Sequence, residues 1–250
     1  MNKYNLGFIS DENLFNHVKD TVSKYSFEMD LKKFNSNLID PIKLTFDSII
    51  YDQEFEDTIE NEVLRQLDKS NSNLIGYFHQ NIFKYFSTEW EVPRVGYDVQ
   101  NLTDKIFVEM KNKHNTMNSS SSAKTYMRML NTLVQDVDST CLLVEIIAKK
   151  SQDIPWVVTL DSDKQPVNER IRRVSIDKFY ELVTKEKDAF RDLCLVLPQV
   201  IKDVVEEGDI RNRNNTVFTE LESISDDLLT SIYLLSFKKY EGFDNFKFSK

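Results

Sequence analysis

Apolar positions along the first 90 residues recur at helical spacing. In "DENLFNHVKDTVSKY", Leu14, Phe15, Val18, Val22 and Tyr25 fall on one face, with Asp11 as the expected cap. Pro41 can open a helix through "PIKLTFDSIIY", because its fixed φ suits the first helical position. "FEDTIENEVLRQLDK" sets Phe55, Ile59, Val63 and Leu67 on one stripe. "SNSNLIGYFHQNIFKYF" repeats the period with Leu74, Tyr77 or Phe78, Ile82 and Phe86.

The period shortens near Trp90. "RVGYDVQN" and "DKIFVEMKNK" are rich in β-branched and aromatic residues and flank a turn-like "NLTD", which predicts a β-hairpin. "SAKTYMRMLNTLVQDV" returns to helical spacing, with the Ser run before it as the expected N-cap. "TCLLVEIIAKK" is an apolar run of strand length, suited to a central strand covered on both faces. "IPWVVTL" predicts a further strand, "DSDKQPVNERIRR" a surface loop, and the remainder mostly helix. No internal repeat or clear linker divides the chain. The order predicts one α/β domain, bordering on α+β, around a mixed sheet. Residues 1–53 form its helical N-terminal part, 54–180 its core and 181–250 its helical C-terminal part.

Composition adds bounds. The 250 residues, 40% hydrophobic and 29% charged with five Gly and five Pro, suit a folded soluble chain with a sizeable core. The sequence holds no run of about 18 apolar residues, so no membrane partner is expected. "MNKYNLGFISDENLF" lacks the pattern of a signal peptide. Cys141 and Cys194 sit among apolar neighbours and are expected to be buried free thiols of a cytoplasmic protein. Two cysteines and three scattered histidines offer no zinc-ligand spacing.

The net charge of −9 argues against nucleic acid until its distribution is considered. Residues 1–62 hold 13 acids and 6 bases. Residues 105–128 hold five bases (Lys105, Lys111, Lys113, Lys124, Arg128) against one acid, Glu109. Residues 164–173 add Lys164, Arg170, Arg172 and Arg173 against Glu169. A basic middle between acidic flanks permits an anion-binding cleft, although a solvated helix face can carry the same charges.

The hairpin concentrates the chemistry. A turn near Thr103 brings Asp98 opposite positions 108–110, and facing residues of antiparallel strands lie about 4.5–5.5 Å apart. Glu109 and Lys111 are two apart, so both leave the same face, while Val108 and Met110 point into the core. Asp98 and Glu109 can then share Mg²⁺, which prefers oxygen ligands and keeps several waters. Lys111 would add a fixed positive charge beside a reacting phosphate. The same spacing fits an exposed hairpin with a cross-strand ion pair. The apolar "KIFVEM" run argues for a core strand, where a carboxylate is costly unless used.

Asp98, Glu109 and Lys111 in helix–hairpin–helix–strand order resemble the PD-(D/E)xK nuclease superfamily. The stretch "VEMKNKHNTMNSSSSAKTYMRM", with "LRQLDKSNSNLIGYFHQNIF" upstream, is similar to type II restriction endonucleases that cut GGNCC-type sites. The resemblance spans roughly residues 55–180. Tyr97 stands where the superfamily pattern has proline. The resemblance implies a restriction-endonuclease-like core and Mg²⁺-dependent hydrolysis of double-stranded DNA at a short palindromic GC-rich site. It further implies a homodimer and a cognate DNA methyltransferase protecting the same site. It also implies a further acid from a preceding helix, for which Glu60, placed within the apolar arc, and Glu62 at its edge are the candidates. Gly76 could allow close packing, and His79 and Gln80 lie nearby in the chain.

DNA contacts are expected from the polar loop and the helix after the hairpin: Lys113, His114, Asn115, Thr116, Asn118, Ser119, Ser120, Ser121, Lys124 and Arg128. Their amides, hydroxyls and amines suit phosphate and sugar oxygens. Guanine recognition calls for arginine, which "NERIRR" and "IRNRNN" supply as Arg170, Arg172, Arg173, Arg211 and Arg213. The leading reading is a type II restriction endonuclease. A non-catalytic DNA-binding protein on a nuclease fold and a structure-specific repair nuclease are the alternatives.

Overall fold

Ser10, not Asp11, caps the first helix, α1 (Asp11–Val22): its hydroxyl accepts the Asn13 N–H at 3.2 Å. Asp11 instead accepts the Tyr4 N–H from the segment before the helix. After the short strand β1 (Glu28–Met29), Asp30 caps α2 (Leu31–Ser36). Asp40 caps α3 (Pro41–Ile50), with Pro41 at the first position as its fixed φ predicts. The two stripes of residues 55–86 join in one helix, α4 (Phe55–Asn81), followed by a 3₁₀ turn over Ile82–Tyr85. The weak helix formers around Ser70–Asn73 do not break it, because propagation adds one bond per residue once a helix is nucleated.

The computed structural model describes residues 3–114, 116–160, 163–208, 214–238 and 246–248. The chain divides into two compact units, Met1–Ser23 with Ile75–Asp209 and Lys24–Leu74 with Ile210–Lys250. The first holds a five-stranded mixed sheet. Its strands are β2 (Val99–Asn101), β3 (Ile106–Lys113), β4 (Thr140–Ile147), β5 (Asp153–Pro155) and, after the two-residue pair β6 (Thr159–Leu160) and β7 (Asp163–Lys164), β8 (Ile171–Ser175). The spatial order is β2-β3-β4-β8-β5. β3, β4 and β8 run parallel, and the two edge strands run antiparallel to their neighbours.

The hairpin forms with Val99 opposite Val108 and Asn101 opposite Ile106. Its turn is tied by Asn101, whose Oδ1 accepts the Asp104 N–H at 3.0 Å. The first strand is shorter than "RVGYDVQN" predicts. Pro93 has no N–H to give to a ladder, and Gly96 takes φ +108°. "IPWVVTL" breaks into β5 and β6, with Trp156 and Val158 buried between them. "NERIRR" is not all loop: Ile171, Arg172 and Arg173 begin the central strand β8.

Helices cover both sheet faces. α5 (Ser119–Gln135) lies on one, packing Tyr126, Met129 and Leu133 with Cys141, Leu143 and Ile171. The other face buries Val108, Met110, Leu142, Val144 and Val174 with α1, α6 (Ile176–Thr184) and α7 (Ala189–Gly208). β4 is therefore buried at five consecutive positions, Cys141–Glu145, as a doubly covered strand should be. Cys194 corrects the expectation of two buried thiols. It is exposed, because α7 turns Leu193 rather than Cys194 toward the core.

In the second unit β1 pairs in parallel with β9 (Asn214–Asn215). Its core gathers Met29, Phe34, Leu44, Ile59 and Val63 with Val217 and Leu221 of α8 (Val217–Glu222) and Ile232 of α9 (Leu228–Phe237). No helix of the described residues is long and apolar enough to cross a membrane.

Candidate active site

Alternation along β3 sorts its side chains. Val108 and Met110 are buried on one face, and Glu109 and Lys111 leave on the α5 face. Asp98 sits just before β2. Its N–H donates to the Val108 carbonyl at 2.9 Å, and its Oδ2 accepts the Met110 N–H at 2.7 Å. The acid is thus fixed by backbone on both sides of Glu109. Burial pushes the Asp98 carboxyl above its usual range; the Met110 N–H works against that, and the Glu109 charge adds to it. A carboxylate whose charge raises a neighbouring acid's proton affinity favours a cation beside it.

Glu109 is held by two cationic side chains. Lys111 Nζ lies 2.8 Å from Oε1, and the Arg128 guanidinium donates to Oε2. Arg128 also donates to the Gly96 carbonyl at 3.1 Å and lies over the Tyr97 ring, 4.6 Å from its centre. The Tyr97 hydroxyl bonds Thr132 at 2.8 Å, one helical turn beyond Arg128. Because Thr132 gives its own proton to the Arg128 carbonyl, Tyr97 is the donor in that pair. Tyr97 thus precedes Asp98 with a ring that supports the arginine.

These groups open onto a cleft of about 500 Å³, lined by Glu109, Lys111, Thr116, Ser121, Lys124 and Arg128 among others. Ser121, Lys124, Thr125 and Arg128 recur at 3, 4 and 7 residues on α5, on a face distinct from buried Tyr126 and Met129. Three amino or guanidinium groups and several hydroxyls against one lining carboxylate make the cleft electropositive. Among the described residues no group of three His, Cys, Asp or Glu is placed to ligate a metal. Glu109 in the cleft wall, with Asp98 held to the same strand through the Met110 N–H, nevertheless fits Mg²⁺, which takes one or two carboxylates and completes its shell with water and phosphate oxygen.

The other expected DNA contacts divide. Lys113 is exposed at the end of β3, and His114 follows it. Asn118 caps α5 by accepting the Ser121 N–H at 2.8 Å, so the cap is Asn118 and the serines form the first turn; Ser119 and Ser120 are exposed there. The three arginines of "NERIRR" take partners within the protein. Arg170 donates to the Asp138 carbonyl at 2.7 Å. Arg172 pairs with Asp153 and Glu169, and Arg173 with Glu145. Asn115, Arg211 and Arg213 lie outside the described residues.

Glu60 corrects the burial expectation: it is exposed, and Glu62 is the buried one. Glu62 belongs to the second unit. Burial raises its pKa, but bonds from Arg65 (2.6 Å) and Gln66 (3.0 Å) outweigh that and leave it below the usual value. Gly76 does pack closely, since a Cβ there would meet Asn112 Oδ1 at 3.3 Å. The half-buried His79 ring is pushed down to about 4, first by loss of solvent and then by His17.

Glu145 is the residue that sequence reasoning passed over. Its side chain is 2% exposed, with His114 Nδ1 at 2.8 Å from Oε2 and an Arg173 nitrogen at 3.1 Å from Oε1. The signal was a carboxylate inside "CLLVEII", where burial demands partners.

The family model described as Eco47II restriction endonuclease matches residues 6–206. The type II restriction enzyme Sau96I of Staphylococcus aureus is 33% identical over 217 residues, which cover 82% of this chain and 82% of the relative. The type II restriction enzyme Eco47II of Escherichia coli is 32% identical over 215 residues, covering 81% of this chain and 89% of the relative.

Proposed function

The chain belongs to the Eco47II restriction endonuclease family, and from that premise we propose that it is a type II restriction endonuclease that hydrolyses double-stranded DNA with Mg²⁺ at a short palindromic site of GGNCC type. The observation that carries the reading is Glu109 and Lys111 side by side on β3 in a cleft rich in cationic side chains, with Asp98 held to the same strand through the Met110 N–H and near enough to feel the Glu109 charge. Asp98 and Glu109 would hold the metal. When bound, it supplies Lewis-acid polarisation of the scissile phosphate and lowers the pKa of a coordinated water.

The protein's own groups do the rest. Lys111 Nζ, held by Glu109, presents a fixed positive charge where charge develops on the phosphorus oxygens. Lys124 and the Thr116 and Ser121 hydroxyls can seat the flanking phosphates. Water attacks phosphorus in line; one P–O bond forms as the bond to the departing sugar oxygen breaks, and that oxygen takes a proton. A two-fold homodimer, one active site per strand, suits a palindromic substrate. The setting is cytoplasmic, with a methyltransferase protecting the same sequence.

The test is digestion of unmethylated phage DNA with and without Mg²⁺. A discrete, Mg²⁺-dependent ladder is expected, and sequenced ends define the site. Intact DNA across a series of divalent metals overturns the enzyme reading. Nicks or smears would indicate a structure-specific nuclease.

A further inference from the structure

Arg128, like Lys111, spends its charge on the carboxylate that the reading above assigns to the metal. Glu109 is only 12% exposed, yet both of its oxygens are engaged, Oε1 by Lys111 and Oε2 by Arg128. Arg128 is also anchored without Glu109: the Gly96 carbonyl takes one nitrogen, and the Tyr97 ring, fixed through Thr132, supports the guanidinium plane. Its Nε is buried with no acceptor. The side chain nevertheless stays 39% exposed at the cleft. It can therefore change its partner at Glu109 by side-chain rotation while α5 stays in place.

We propose that Arg128 is a displaceable counter-ion: its guanidinium and the divalent cation compete for Oε2 of Glu109, and the displaced guanidinium turns to a DNA phosphate in the same cleft. This rests on the reading of Asp98 and Glu109 as the metal pair. The charge balance explains the use of such a device. A divalent ion beside Lys111 and Arg128 puts four positive charges against two carboxylates, so metal alone binds against repulsion. A phosphate entering the cleft takes up the freed guanidinium and relieves it. Metal and DNA then tighten one another, and by linkage the coupling is reciprocal.

The test is DNA-free calorimetric titration with Mn²⁺ of the wild type, R128Q, R128K and E109Q, each checked for folding by thermal melting. Removing one like charge at contact range should tighten Mn²⁺ binding to R128Q by about tenfold. R128K should stay near the wild type and E109Q should lose binding. A phosphodiester duplex should strengthen Mn²⁺ binding to the wild type more than to R128Q. If R128Q binds no tighter than a wild type that does bind, the competition is overturned while the metal pair stands. If neither binds up to millimolar Mn²⁺, the metal reading falls and takes the proposal with it. Should R128Q not fold, the Arg128 ¹⁵Nε resonance of the wild type, titrated with Mg²⁺, decides. A shift that saturates with metal binding is expected, and an unmoved resonance overturns the idea.

Discussion

Lys111 on β3 and Glu145 on β4 are partners in the parallel register, yet each is ion-paired elsewhere: Lys111 with Glu109, and Glu145 with Arg173 and His114. The two carboxylates thereby separate the local charge into an accessible pair at the cleft and a buried pair beneath. Glu145 ties the end of β3, through His114, to β8, through Arg173. Replacing it with alanine strands a largely buried guanidinium, and one-sided loss of a buried ion pair costs about 3–5 kcal/mol. We expect Glu145→Ala to lose that much stability in urea unfolding, and Glu145→Gln less, because an amide oxygen can still accept from one partner. A loss below about 1 kcal/mol would mean the pair behaves as a surface bridge.

Lys111 should separate chemistry from folding. Its side chain is 31% exposed, and its one ion pair among the described residues is to Glu109. Lys111→Ala should therefore melt close to the wild type and retain duplex binding in Ca²⁺. Removing a charge aimed at the transition state should lower single-turnover cleavage by about 10³-fold or more. Cleavage at the wild-type rate would move the active site elsewhere.

Asp98 gives the pH dependence a sign. Burial raises its carboxyl, so the ionised form that a metal needs is established at higher pH than for an ordinary aspartate. The acid limb of metal-dependent cleavage should lie correspondingly high. Linkage predicts a stability signature without metal. A carboxyl whose folded pKa is raised costs stability above that pKa and nothing well below the unfolded value. Asp98→Asn, which keeps an acceptor for the Met110 N–H, should melt higher than the wild type at pH 8, with the advantage shrinking as pH falls through the folded pKa of Asp98. A constant difference across pH would point to packing instead of charge.

Much of this was legible in the chain. The period-2 pattern of "KIFVEMK" separates Val108 and Met110 from Glu109 and Lys111, and an unbroken apolar run marks β4 as covered on both faces. What escaped depends on tertiary context. "IRRVS" reads as a basic loop, because Arg172 and Arg173 hide a central strand whose charges are neutralised by Asp153 and Glu145. Glu60 and Glu62 swapped burial because a side chain at the margin of an apolar arc is sorted by its neighbours, here Arg65 and Gln66, and not by period alone. Tyr97 gave no sign of supporting Arg128, since the contact crosses from the β2 approach to α5.

The α5 stripe carries the last expectation. Ser121, Lys124, Thr125 and Arg128 share one helix face at the cleft, and Lys124 is exposed, with no carboxylate bonded to it among the described residues. A lysine so placed is a phosphate ligand that reads no base: it neutralises one backbone charge and releases its counterions. Lys124→Ala should weaken binding to cognate and non-cognate duplexes by similar factors, leaving the site preference intact. It should also flatten the log–log dependence of affinity on salt by about one unit of slope. Fluorescence anisotropy in Ca²⁺ across a series of salt concentrations measures both. A loss confined to the cognate site would make Lys124 a base reader, and an unchanged slope would place the DNA path away from α5.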